Sequence, residues 1–384
     1  NHEFSIIQLM NLLQQKIIRR IKSEGPVTFK TFMEMALYEP DLGYYTSQKT
    51  RIGRSGDFYT SSHLHPAFGM MIGKQIEEMW EIMNKPSDFQ IVEMGSGTGY
   101  LCKDILDYLK NRELFNSLNY TIIELNPAMK TSRQNLLTVF SDKIRWVSSI
   151  RELNNIKGCF LSNELLDAFP VHIIEMNDEI KEIFVSADNE KLIEIKGAPS
   201  TGAIADYIKE FSIELEKGHR TEINLKIKEW LGGINSVLTE GFILTIDYGY
   251  SSEDYYSEDR NRGTLLCYHE HQVTEYPYQN IGEQDITAHV NFSSVKKWGD
   301  ELNIKTIGFC PQGTFLVSLG IDEAIAEIHK NPADYPFEVA RIKKLILPGT
   351  MGETHKAIIQ HKGRGNPALR GFTIKNRLIS LRLP

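Results

Sequence analysis

The chain has 384 residues, 41% hydrophobic and 24% charged, which is the balance of a globular protein with ample core, and its formal net charge of −7 gives no reason to expect nucleic-acid binding. Four cysteines, Cys102, Cys159, Cys267 and Cys310, stand far apart with no C-x-x-C pair, which excludes a disulfide framework or structural zinc site and suits a reducing compartment. No apolar run approaches the ~20 residues of a membrane helix, so membrane insertion is not expected.

The chain opens on an amphipathic stretch, 2–24, with Phe4, Ile7, Leu9, Leu12, Leu13, Ile17, Ile18 and Ile21 set among Lys16, Arg19, Arg20 and Lys22. It lacks a small-residue cleavage site and reads as a docked surface helix rather than a signal peptide, so the cytoplasm is the default location. A Gly25-Pro26 turn leads to a helix over 29–37, then to turn formers and aromatics at 38–45. The polar stretch 53–61 is irregular, the kind of long loop that often serves function. A helix follows from 66 to about 86, making 1–85 a helical and loop cap.

From 86 to 362 strands and helices alternate. Strands are expected at 90–94, 120–125, 144–147, 158–162 and 242–247, which implies a mainly parallel sheet covered on both faces. The rhythm breaks at about 171–240. There 171–176, 180–186 and 191–196 read as antiparallel strands joined by Asn177-Asp178 and Asp188-Asn189 turns, followed by helices at 203–217 and 224–239. The segment 249–290 is aromatic, polar and poorly periodic, and reads as a lid loop. Beyond it come a helix at 295–302, a strand at 304–309, helices at 322–330 and 337–346, and a strand at 356–360. The tail 363–384 carries Arg364, Arg370, Lys375, Arg377 and Arg382 and reads as a solvated basic surface. Without repeats or linkers, the whole is one decorated α/β unit.

The first core strand leads into Glu93-Met94-Gly95-Ser96-Gly97-Thr98-Gly99, and then into Leu101, Ile105, Leu106 and Leu109 at helical spacing. This is strand, tight loop, helix. Glycine lets the backbone approach a ligand, and the free N–H groups of the helix start point at it. A dinucleotide fold wants G-x-G-x-x-G, whereas here the third glycine comes one residue early. The next strand ends in Glu124, 25 residues after Gly99. Two acids closing successive strands around an alternating-glycine loop resemble the class I S-adenosylmethionine-dependent methyltransferases. That resemblance places Glu93 near the methionine amino group and Glu124 on the ribose hydroxyls. It also implies a Rossmann-like fold with the helical cap and antiparallel β insertion added.

The fourth strand runs into Asn163-Glu164-Leu165-Leu166-Asp167-Ala168-Phe169-Pro170, and ligands of doubly wound folds lie beyond such strand ends. Paired carboxylates there can hold a guanidinium in register and accept its proton, although Glu164 and Asp167 can equally cap the next helix. The fifth strand puts Asp247 on the same rim. Glu164, Asp167 and Asp247 are therefore the candidate catalytic carboxylates. His289 is a candidate general base or a hydrogen-bonded structural residue. His269 and His271 lack a third ligand at metal spacing, so no metal is expected.

Several further motifs occur in one order: Tyr38-Glu39-Pro40 with Gly43-Tyr44-Tyr45, Gly56-Asp57-Phe58, the glycine loop, 163–170, Asp247-Tyr248-Gly249-Tyr250 and Asp285-Ile286-Thr287-Ala288-His289-Val290. Arg262-Gly263-Thr264-Leu265 with Tyr268 and His271, and Leu347-Pro348 with Met351-Gly352, extend the set. Together they resemble the MidA family, bacterial and mitochondrial methyltransferases tied in mitochondria to respiratory complex I assembly. The resemblance covers roughly residues 25 to 352, with departures at Thr60 and Met94. It implies protein arginine methylation with S-adenosylmethionine as cofactor and a protein substrate, in mitochondria a complex I subunit. It further implies cofactor contacts from Gly56, Asp57, Phe58, Gly95, Ser96, Gly97, Thr98, Gly99, Glu124 and Asn163, with Glu164 and Asp167 gripping the arginine. In a eukaryotic cell the location becomes the mitochondrial matrix. Competing readings are an assembly chaperone that binds the cofactor without methyl transfer, and a nicotinamide-dependent oxidoreductase, which the glycine spacing disfavours.

Overall fold

The computed structural model describes residues 11–47, 60–126, 133, 135–328 and 335–383. Among the described residues seven strands run in line across the central sheet, β1 (Phe89–Met94), β2 (Leu118–Ile123), β3 (Ile144–Val147), β4 (Ile156–Asn163), β5 (Leu238–Tyr250), β6 (Lys305–Pro311) and β7 (His355–Lys362), and a short eighth, Val290–Asn291, pairs with the end of β5 off that line. Their order across the sheet is β3-β2-β1-β4-β5-β7-β6. The first five are mutually parallel, and β7 lies antiparallel between β5 and β6.

The near-continuous apolar runs of β1, β4 and β5 follow from burial on both faces. On one face Ile91, Tyr120, Leu161, Phe242 and Leu244 pack against the Ala67–Ile82 and Tyr100–Leu109 helices. On the other, Val92, Phe160 and Ile243 meet the Lys226–Val237 and Phe292–Glu301 helices. Successive side chains of a strand point to opposite faces, so one strand feeds two cores.

A third core lies at the carboxyl end of the sheet. The Leu12–Glu24 and Phe29–Tyr38 helices bury Leu13, Ile17, Phe29, Phe32 and Met33 against Val171, Ile173, Ile183 and Val185 of the insertion. The insertion strands His172–Met176, Ile180–Asp188 and Lys191–Gly197 are antiparallel, as their turns imply. Val27–Thr28 of the cap pairs with Phe184 and Val185, so cap and insertion share one sheet.

Three regions depart from expectation. The helix expected over 203–217 ends at Glu210, and Arg220–Ile223 is a strand beside His172–Met176. Pairing with that edge overrides local propensity. The 249–290 segment is not a loose lid. It holds a short helix, Ser252–Tyr255, and a three-stranded sheet in which Leu266–His269 lies between Gln272–Thr274 and Asp285–Thr287. Cys267 and Ile286 from this sheet are buried in the third core. Its pieces are too short to show a period. The tail keeps its basic side chains exposed, but its backbone is strapped to the core. Leu369, Phe372 and Leu381 are buried, Gly371 N–H donates to Gln75 Oε1 at 3.1 Å, and Arg377 N–H donates to Phe309 O at 2.6 Å. Among the described residues no helix is long and apolar enough to cross a membrane.

Candidate active site

At the carboxyl ends of β1, β2 and β4 a cavity of about 430 Å³ opens between the sheet and the cap. β1 delivers Glu93 to its wall, and the chain then turns through Gly95, Gly97 and Gly99 at φ of 72°, 53° and 85°. These left-handed values strain any residue with a Cβ, which is why glycine alternates here. Among the described residues, chain neighbours aside, no atom lies within 4 Å of where a Cβ at Gly97 would stand, so the loop faces open space there. Gly99 then caps the Tyr100–Leu109 helix. Burial raises the Glu93 carboxyl to about 7, against the opposing pull of the Tyr120 hydroxyl, which donates at 2.8 Å, and of Arg133.

Glu124 follows β2 on the same wall. Its carboxylate accepts the Asn126 N–H at 2.9 Å and the Arg133 guanidinium, which also donates to Ser96 Oγ at 3.2 Å. Asn126 in turn donates its side-chain amide to the carbonyls of Tyr45 and Ser47, at 3.1 and 3.0 Å, and so ties the cap to the second strand end. On the opposite side His63 bridges cap and loop. Its Nε2 is 2.9 Å from Thr98 Oγ1 and its Nδ1 is 2.7 Å from Thr60 Oγ1.

Glu164 follows β4 at φ 51°, a left-handed conformation that a non-glycine residue holds only where its surroundings enforce it. Its Oε1 accepts the Ser61 N–H and the Asn163 amide, each at 3.1 Å, and its Oε2 accepts the Tyr248 hydroxyl at 3.1 Å. His355 Nε2 stands 3.5 Å from Oε1. Burial alone would raise this carboxyl, but His355, the Ser61 N–H and Asn163 outweigh it and hold Glu164 below the usual carboxylate range. Glu164 is thus a buried carboxylate on the cavity wall whose neighbours favour its charged form.

Asp247 and Asp167 are placed differently. Asp247 Oδ2 accepts the N–H groups of Leu165 and Leu166 at 3.1 and 2.8 Å, and Oδ1 accepts that of Tyr248 at 2.9 Å. It secures the turn that presents Glu164. Asp167 is buried beside it. Desolvation first, then Asp247, Asp285 and Glu164, push the Asp167 carboxyl well up, and burial raises Asp247 as well. Neither residue is on the cavity wall, although sequence order places both on the rim with Glu164.

The cavity wall therefore brings together Glu93, Gly95, Ser96, Gly97, Thr98, Glu124, Asn163 and Glu164. Gly56, Asp57 and Phe58 lie outside the described residues. His289, one ring layer from Tyr248 at 6.0 Å between centroids, is not on this wall, and burial lowers it to about 4. Sequence reasoning passed over Arg133, Asn126, His63 and His355. Each acts across the fold, and only the pairing of distant segments reveals them. The Tyr38 and Tyr45 rings, stacked at 5.5 Å, also line the cavity, and the motif that contains them was legible.

A glycine loop after the first strand, acids at the first two strand ends and a β3-β2-β1-β4-β5-β7-β6 sheet with β7 reversed define a class I methyltransferase. The wall suits a nucleoside with an amino-acid tail. The Glu93 and Glu124 carboxylates stand at two points of this wall, and two buried wall atoms, Asn163 Oδ1 and Arg133 Nε, have no hydrogen-bond partner among the described residues. A family model described as "Putative S-adenosyl-L-methionine-dependent methyltransferase" matches residues 71–310. A protein from Burkholderia thailandensis, crystallised with S-adenosyl-homocysteine, superposes with a TM-score of 0.88 at 27% identity over 96% of each chain. The mitochondrial protein arginine methyltransferase NDUFAF7 of Homo sapiens is 27% identical over 90% of this chain and 83% of its own length. That of Xenopus laevis is 25% identical over 94% and 89%.

The chain belongs to this methyltransferase family, the MidA family its motifs resemble. It is an S-adenosylmethionine-dependent enzyme.

Proposed function

We propose that this enzyme methylates the guanidinium of an arginine in a protein, with Glu164 as the group that meets the substrate. The observation that carries the reading is the buried Glu164 carboxylate, fixed by Ser61, Asn163 and Tyr248 on the wall it shares with the glycine loop. A carboxylate fixed there orients a guanidinium nitrogen by charge-assisted hydrogen bonds and accepts its proton after the methyl bond forms. The cofactor supplies an electrophilic methyl. Tyr38 and Tyr45 close the cavity from the cap and exclude water. Asp247 and Asp167 act through the turn behind Glu164 rather than on the substrate. The likeness to mitochondrial protein arginine methyltransferases supports the choice of arginine. With the complex I role implied by the family resemblance, it makes a respiratory complex I subunit the first substrate to try. Four free, buried cysteines agree with a reducing cytoplasm, or the matrix of a eukaryotic cell.

The test is transfer of tritiated methyl from S-adenosylmethionine into proteins of a cell lysate, with methylarginine identified after hydrolysis. Glu164→Gln is expected to slow incorporation more than about tenfold while leaving S-adenosylhomocysteine affinity intact. Cofactor binding without any labelled protein would remove the enzyme from this role and leave a binding function.

A further inference from the structure

His355 opens β7 directly opposite Tyr248 of β5, in the antiparallel register of those strands. It is almost wholly buried, its ring meets Tyr248 edge-on at 4.3 Å, and its Nδ1 is 3.1 Å from Thr354 Oγ1. Among the described residues its Nε2 has no aligned hydrogen-bond partner, and it lies 3.5 Å from Glu164 Oε1. Among the described residues Glu164 Oε1 therefore faces three nitrogens, those of Ser61, Asn163 and His355, whereas Oε2 faces the Tyr248 hydroxyl. A carboxylate oxygen accepts about two hydrogen bonds. Among the described residues Oε1 already accepts two hydrogen bonds with the His355 imidazole beside them, and Oε2 accepts one, which leaves it a second lone-pair direction.

We propose that His355 is the positioning residue of this active site, holding Glu164 by Oε1 so that Oε2 is the oxygen offered to the substrate nitrogen. The proposal rests on the reading of Glu164 as the substrate-binding group. His355 comes from the sheet strand that runs against the others, and it reaches the rim from the side away from the cofactor loop. No substrate or cofactor contact is required of it. It supplies orientation and a field. Other titratable groups also face Glu164: His63 across the cavity, Asp247 and Asp167 behind the turn, and Tyr248 and Tyr268 from β5 and the three-stranded sheet. His289 and Lys356 lie on the His355 side. The two acids disfavour a charged Glu164, whereas the Tyr248 hydroxyl that donates to Oε2 favours it, so the imidazole opposes the acids behind the turn.

The test follows the protonated-carboxyl infrared band of Glu164, assigned as the band lost in Glu164→Gln, against pH in the full chain with S-adenosylhomocysteine bound. In His355→Phe, which fills the space without a donor, the midpoint is expected to rise by about one pH unit, a tenfold change in the ionisation equilibrium. In His355→Gln, whose amide restores a donor, the rise is expected to be smaller. S-adenosylhomocysteine affinity should stay within about twofold in both. An unmoved midpoint in the folded variants overturns the proposal. Should His355→Phe not fold, the midpoint of His355→Gln decides by the same criterion. Tritiated methyl incorporation is measured alongside, and its acid limb should move with the infrared midpoint. A wild type that labels no protein while the midpoint still moves refutes the arginine reading and leaves the His355–Glu164 coupling standing.

Discussion

Glu93 shows how much of this site is set by single residues in opposed fields. Burial lifts its carboxyl to about 7, so near neutral pH it is only partly ionised. A ligand amine placed against it favours the carboxylate and lowers its pKa, so binding must release protons around pH 7 and weaken as pH falls below it. Calorimetry of S-adenosylhomocysteine at pH 6.5 in buffers of different ionisation enthalpy should show release of roughly half a proton or more. The release should vanish in Glu93→Gln. Gly97 supplies the second prediction at this scale. A β-branched side chain at φ 53° costs about 1–2 kcal/mol in strain and fills the space over the loop. Gly97→Val is expected to fold but to bind S-adenosylhomocysteine at least about a hundredfold more weakly, since lost contacts add to the strain. The pattern of glycines was legible because backbone angles of this kind admit few other residues.

Among the elements, β1, β4 and β5 carry the site, and their close approach depends on Gly158. A Cβ at Gly158 would collide with the Gln90 backbone of β1, and its φ of 151° is itself outside the range most side chains adopt. Gly158→Ala is expected to destabilise the chain by about 3 kcal/mol, the upper range for overpacking a tight contact, read as a lower urea midpoint. The strands of the central sheet were legible because burial on both faces leaves unbroken apolar runs. Arg220–Ile223 and Leu266–His269 were not. Each is four residues long and owes its conformation to the neighbour it pairs with, so neither periodicity nor propensity marks it.

For the molecule as a whole, the tail closes the fold from outside the family motifs. Leu369, Phe372 and Leu381 each bury a side chain worth about 1.5–3 kcal/mol. Ending the chain at residue 362 is expected to cost roughly 4 kcal/mol or more, even after discounting for a compact unfolded state. Thermal unfolding would measure it, and S-adenosylhomocysteine affinity of the folded fraction should persist, since no tail residue lines the cavity. The cap, the insertion and the 249–290 segment form a third core together, although chain order separates them widely.

Local pattern was enough to bring the glycine loop and the acids at 93, 124 and 164 to one cavity wall and to name the cofactor of the family. These depend on backbone angles and strand periods that neighbouring residues dictate. Which carboxylate meets the cavity, and which ones merely support it, was settled by long-range packing. Asp167 and Asp247 stand as near to Glu164 in the motif pattern as a catalytic partner would. Only the folded sheet turns one toward backbone N–H groups and buries the other, and only it brings His355 from the far end of the chain against Glu164. Direction and burial belong to the pairing of distant segments, which a linear order of residues does not encode locally.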